Sequence, residues 1–210
     1  MKRVRNYNEA MEQLIAKLQA RRFDAHYCAS KEEVVALALS MIKPNDVVAY
    51  GGSMTFYESG MYEALKKTPC FLLDRDMAKT PQERASVMKN GLSADVFFAS
   101  VNALDESGVL YETEGLGNRV ASILFGTKKV ILLVGKNKIV PDKAAAEERM
   151  KALACPKNAE RLNRDTPCRK VGRCVDCISK ECICANRVEL RLSFIPDRIA
   201  VILIDEELGY

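Results

Sequence analysis

Five of the eight cysteines fall in the stretch PCRKVGRCVDCISKECIC: Cys168, Cys174, Cys177, Cys182 and Cys184. Cys174 and Cys177 are separated by two residues, a spacing that lets two sulfurs face one ion. No histidine lies in the stretch, so the expected site is all-thiolate, with four of the five cysteines as ligands. The spacing matches neither the double C-x-x-C of a zinc ribbon nor the bacterial ferredoxin run. Zinc, an iron–sulfur cluster and a metal-free reduced loop therefore all stay open. Residues 155–193 hold nine basic and five acidic side chains, which accounts for the net charge of +4 of the whole chain. Cations placed there can offset thiolate charge. They are not interleaved with stacking aromatics, so nucleic acid is not the expected partner. Cys28, Cys70 and Cys155 lie in apolar or element-edge contexts and read as packed thiols.

Three further loops carry groups able to hold an anion. Gly51, Gly52 and Ser53 join a strand to a helix, where glycines admit a close backbone approach and the hydroxyl can donate. The same glycines also suit a tight turn with no ligand. In TEGLGNR, Glu114 can be placed in a cleft, with Gly115 and Gly117 shaping the loop and Asn118 and Arg119 holding a carboxylate or phosphate. Lys138 closes Gly135-Lys136-Asn137-Lys138, at the end of another strand. No G-x-G-x-x-G or Walker pattern is present, so no nucleotide motif is identified. His26 is the only histidine and sits in a strand pattern, so a His-dependent triad has no support.

The elements that must position these loops alternate. Met11, Leu14, Ile15 and Leu18 line one face of a helix over 8–21. A strand follows at 24–28, then a helix from the Ser30–Glu33 capping box to about Ile42. The strand 47–50 leads through Gly51-Gly52-Ser53 into a helix over 54–66. A strand at 71–73, a helix capped by Thr80-Pro81-Gln82-Glu83 and a strand at 95–99 follow. Residues 103–112 form a hairpin about Glu106-Ser107-Gly108. A helix at 117–125, a strand at 129–134 and a helix from Pro141 to about Ala154 come next. The cysteine segment shows no long element, and the strand 199–204 closes the chain. This pattern predicts an α/β fold, a mostly parallel sheet with helices on both faces. The chain reads as one domain over 1–210, with a basic, cysteine-rich insertion at 155–193 before the last strand. In such sheets ligands bind beyond the carboxyl ends of the strands. Loops 51–53, 100–102 and 135–138 are thereby selected, with 114–119 beside them.

Hydrophobic residues make up 48% and charged residues 29% of the 210-residue chain, a globular mixture. No apolar run approaches the roughly 20 residues needed to span a bilayer. MKRVRNYNEAMEQL lacks an apolar signal core, so a cytoplasmic location with reduced thiols is expected.

The stretches GGSMTFYESG (51–60), ALDESGVLYETEGLGNRVASILFGTKKVILLVGKNKIV (103–140), the cysteine loop (167–184) and the final DEELGY resemble the lactate-utilisation (LUD) domain family. The resemblance spans nearly the whole chain and is closest to the branch carrying a C-terminal cysteine loop. It implies a fold similar to sugar-phosphate isomerase and CoA-transferase-like domains. It also implies a role in oxidising lactate or related organic acids, beside iron–sulfur partner proteins. No ferredoxin domain is fused to this chain, so electrons must use the cysteine loop or a separate partner.

The leading expectation is a component of an L-lactate-oxidising system, with a pocket for a small anion such as a 2-hydroxy acid and a thiolate-ligated zinc or iron–sulfur centre. Two alternatives stand beside it. One is an acyl or CoA transferase, or a hydrolase, with Glu114 as the catalytic carboxylate. The other is a non-catalytic accessory subunit with a structural zinc site.

Overall fold

The computed structural model describes residues 7–210; the basic start of the chain, residues 1–6, lies outside them. Helix α1 (Tyr7–Ala20) packs Leu14 and Leu18 inward and leads to strand β1 (Asp24–Cys28). Helix α2 (Lys31–Ser40) starts where the Ser30 hydroxyl accepts the Glu33 amide at 3.3 Å, while Glu33 accepts the Ala29 amide. Strand β2 (Val47–Tyr50) follows. The helix expected over 54–66 is two, α3 (Met54–Glu58) and α4 (Met61–Leu65), because Gly60 between them adopts a φ of +80°.

Strand β3 (Phe71–Leu72), helix α5 (Pro81–Asn90) and strand β4 (Val96–Ala99) come next. The hairpin is formed by β5 (Ala103–Asp105) and β6 (Leu110–Glu114). Asp105 fixes its turn by accepting from the Ser107 and Val109 amides and from the Tyr111 hydroxyl. Helix α6 (Asn118–Leu124), strand β7 (Lys129–Gly135) and the two-residue strand β8 (Ile139–Val140) complete the central region.

Six strands form a wholly parallel sheet in the order β1-β10-β7-β4-β2-β3, with β10 spanning Ile199–Ile204. Side chains of β7 and β10 alternate between two cores. Val130, Leu132, Val134, Val201 and Leu203 meet α1 and α6 on one face. Ile131, Leu133, Ala200, Ile202 and Ile204 meet α2, α3 and α4 on the other. Helices thus cover both faces, which is why these strands read as unbroken apolar runs.

The sequence did not reveal a second sheet, ordered β8-β5-β6-β9. Its last strand, β9 (Asn186–Leu190), comes from the cysteine-rich insertion and pairs antiparallel with β6. The insertion is therefore built into the fold and is not a bare loop. The helix expected to stop near Ala154 also runs on: α7 (Lys143–Arg149) passes through a π-helical turn, Met150–Ala154, into α8 (Cys155–Arg161). Pro156 has no N–H for an i−4 bond, which accounts for the widened turn just before it. A short helix α9 (Pro167–Val171) precedes the cysteines.

Candidate functional site

The carboxyl ends of β2, β4 and β7 open into a cavity of about 620 Å3. Seven of the nine candidate anion-binding residues line it: Gly52, Ser53, Glu114, Gly115, Asn118, Arg119 and Lys138. Ser100, Val101 and Asn102 contribute the loop after β4. Lys180, Glu181, Cys182 and Ile183 form part of the wall, so the cysteine loop borders the cavity.

Arg119 is the hub of the inner end. Its Nε donates to Glu114 Oε2 at 2.9 Å, and Nη1 donates to Glu112 Oε2 and to the Ser100 carbonyl. Nη2 donates to the Thr113 carbonyl at 3.1 Å and to Asn102 Oδ1 at 3.4 Å. Five protein acceptors match the five donors of a guanidinium. Arg119 is thus engaged by protein acceptors, and it positions the carboxylates of Glu112 and Glu114. Burial works against its charge, but those carboxylates hold its pKa above the usual value. Burial pushes the Glu112 carboxyl up to about 7, against the pull of Arg119.

Gly51 and Gly117 do not line the cavity. A Cβ on Gly51 would stand 2.9 Å from Cγ and Cδ of Arg119, so this glycine gives the arginine room to pass. Gly117, at φ +86°, starts α6. Ser53 is buried, and its hydroxyl has no protein partner. Lys138 is buried too; its ammonium donates to Ser100 Oγ at 2.9 Å and to the Val101 carbonyl at 3.1 Å. Burial first, and then the neighbouring Arg149, pull its pKa down to about 7.

Four further arginines stand in the wall that no motif had pointed to: Arg75, Arg84, Arg161 and Arg164. Arg75 sits in a turn pinned from below by tyrosines. Tyr50 and Tyr62 donate to Asp74, and Tyr57 donates to Asp76. The Arg75 Nε is buried without a partner, and its closest carboxylate, Asp76, stands 3.9 Å away. Arg149, outside the lining, is also buried; it donates to the Asn137 and Asn102 carbonyls. Glu112 was missed as well, although Glu112 and Glu114 alternate on one strand and must share a face.

The cysteines are brought together only in part. Cys182 and Cys184 sulfurs are 3.2 Å apart, and Cys177 donates to Ser179. Cys155, expected to be an isolated packed thiol, instead belongs to this group: a hydrogen bond from Cys184 holds it below the usual thiol range. Cys168 pairs with the Thr166 hydroxyl, and Cys174 is buried. Among the described residues, no three His, Cys, Asp or Glu side chains stand as ligands of one ion. As arranged, the five expected thiols do not make a ligand set.

The chain belongs to the LUD domain family, whose model matches residues 11–204. Among solved structures, it is similar to a DUF162 family protein from Deinococcus radiodurans. The two are 12% identical with a TM-score of 0.54, over 95% of this chain and 99% of that one. At that identity the likeness shows the fold. A weaker likeness, at TM-score 0.34 and 16% identity, is to ribose 5-phosphate isomerase from Plasmodium falciparum, over 53% of this chain and 52% of that one. Another, at TM-score 0.39 and 17% identity, is to eIF2B beta from Chaetomium thermophilum, over 55% and 44%. No curated protein matches. No helix among the described residues is long and apolar enough to cross a membrane.

Proposed function

We propose that this chain is a lactate-utilisation-type protein that binds a small organic anion, a 2-hydroxy acid or the 2-oxo acid it becomes on oxidation, and serves an L-lactate-oxidising system in the cytoplasm. One observation carries the proposal. The cavity is lined by Arg75, Arg84, Arg161, Arg164 and Lys180 in addition to Arg119, against the carboxylates of Glu114 and Glu181. Glu114 is already held by Arg119, and Glu181 accepts the Asp165 amide. The surplus of positive charge suits an anion, and the unpartnered Ser53 hydroxyl offers it a hydrogen bond.

Among the described residues no three thiols stand together as ligands, and in this reading electrons pass to separate iron–sulfur partner proteins. The test has two arms. Thermal shift and calorimetric titration with L-lactate and pyruvate, against glycerol at matched ionic strength, report the anion site; equal response to all three overturns it. Metal analysis with a visible spectrum after oxygen-free purification reports the centre; stoichiometric iron or zinc overturns the assignment to a partner.

A further inference from the structure

Lys138 is the one buried lysine among the described residues, with 2% of its surface exposed. Its hydrogen-bond partners are a hydroxyl and a carbonyl, and no ion pair includes it. Burying an ammonium without a counter-charge is unfavourable, so such a site favours the neutral amine. The groups facing it come from four elements. Arg149 of α7 and Arg119 of α6 disfavour its charge, while Glu112 of β6 and Glu58 of α3 favour it. Near neutral pH a large share of this amine therefore keeps its lone pair, as a nucleophilic lysine requires.

Its place in the cavity fits that chemistry. Lys138, Ser100 and Ser53 follow β7, β4 and β2, which are neighbours in the sheet. Lys138, Ser100 and Ser53 all line the one cavity, with the amine held at Ser100. Ser53 can hold the carboxylate of a molecule whose next carbon reaches the amine.

We propose that Lys138 is the reactive amine of this cavity and condenses with the carbonyl carbon of a 2-oxo acid to form an imine. The nitrogen lone pair attacks the carbonyl carbon, and the carbonyl electron pair moves to oxygen, which takes a proton from nitrogen. The carbinolamine then expels that hydroxyl with the second nitrogen proton as water, leaving C=N. One water is released, and no oxidant or reductant is needed. The inference rests on the anion cavity proposed above, but not on its role in lactate oxidation.

The test is reductive trapping. The full chain is incubated with pyruvate and cyanoborohydride, and adducts are mapped by peptide mass spectrometry. One adduct at Lys138 is expected, with a yield about tenfold higher near pH 8 than near pH 6, because the amine titrates at about 7. An unperturbed lysine amine, with a reference pKa near 10.4, is less than about 1% neutral at pH 8. Adducts spread over exposed lysines with Lys138 unmodified overturn the proposal. So does thermal stabilisation by pyruvate without any trapping, which leaves the anion cavity standing. Neither stabilisation nor trapping sinks both readings. Lys138→Met is expected to abolish the adduct; if that variant does not fold, the wild-type peptide map still decides.

Discussion

Gly51 and Arg119 share one space: a Cβ on the glycine would lie 2.9 Å from two carbons of the arginine side chain. Arg119 is tied at all three of its nitrogens and cannot swing aside. Gly51→Ala is therefore expected to destabilise the protein by about 1–3 kcal/mol, the usual effect of overpacking. Urea denaturation measures it. An unchanged midpoint would return Gly51 to the role of a simple turn residue.

Ser53 makes the opposite case. Its buried hydroxyl has no protein partner, so Ser53→Ala leaves no donor or acceptor stranded. Stability should stay within about 0.5 kcal/mol of wild type or rise. The thermal shift given by L-lactate or pyruvate should shrink. A variant that loses stability but binds normally would make Ser53 structural.

Arg119→Met strips the counter-charge from Glu112 and Glu114 together. Breaking a buried ion pair at one partner typically destabilises by about 3–5 kcal/mol. The loss should deepen as pH rises, because ionised Glu112 would then stand buried and unpaired. Replacing Glu112 by Gln in the same background should recover part of the loss, which chemical denaturation at two pH values would show.

Two buried groups shape stability against pH. The Glu112 pKa is raised to about 7 in the folded chain, so its contribution is fully present below the unfolded value of 4.5 and is lost as pH rises through 7. The Lys138 pKa is lowered to about 7, so its penalty is absent above the unfolded value of 10.5 and grows as pH falls towards 7. Between pH 7 and 10.5 the wild type should gain on the order of 1 kcal/mol per pH unit from Lys138. Lys138→Met should lose that gain. Parallel slopes for the two proteins would refute the buried, uncompensated amine.

The six-stranded sheet was legible because its inner strands are buried on both faces: 130–134 and 199–204 are continuous apolar runs. The second sheet was not. In β9, Arg187 and Glu189 are exposed while Val188 and Leu190 pack inward, an alternation too short, beside the cysteine-rich stretch, to stand out as a strand. In the site, residues at strand ends were found by topology alone, which is why Ser53 and Lys138 were named in advance. Arg75 and Arg161 reach the cavity from a turn and a helix end distant in sequence, and only tertiary packing brings them in. The partners of Arg119 were not legible, since two of its acceptors, the Ser100 carbonyl and Asn102, come from another loop.

The pairing of β9 with β6 has a consequence for any shortened version of the chain. β6 carries both Glu112 and Glu114, and β9 satisfies its outer row of backbone groups from Leu110 to Glu114. Removing residues 155–193 would uncover that row, leaving a ready template for a second molecule. The shortened protein would assemble into oligomers through β6, and the carboxylates would be dragged into the new contact. Solubility and the shape of the cavity are thus guarded by the same five residues.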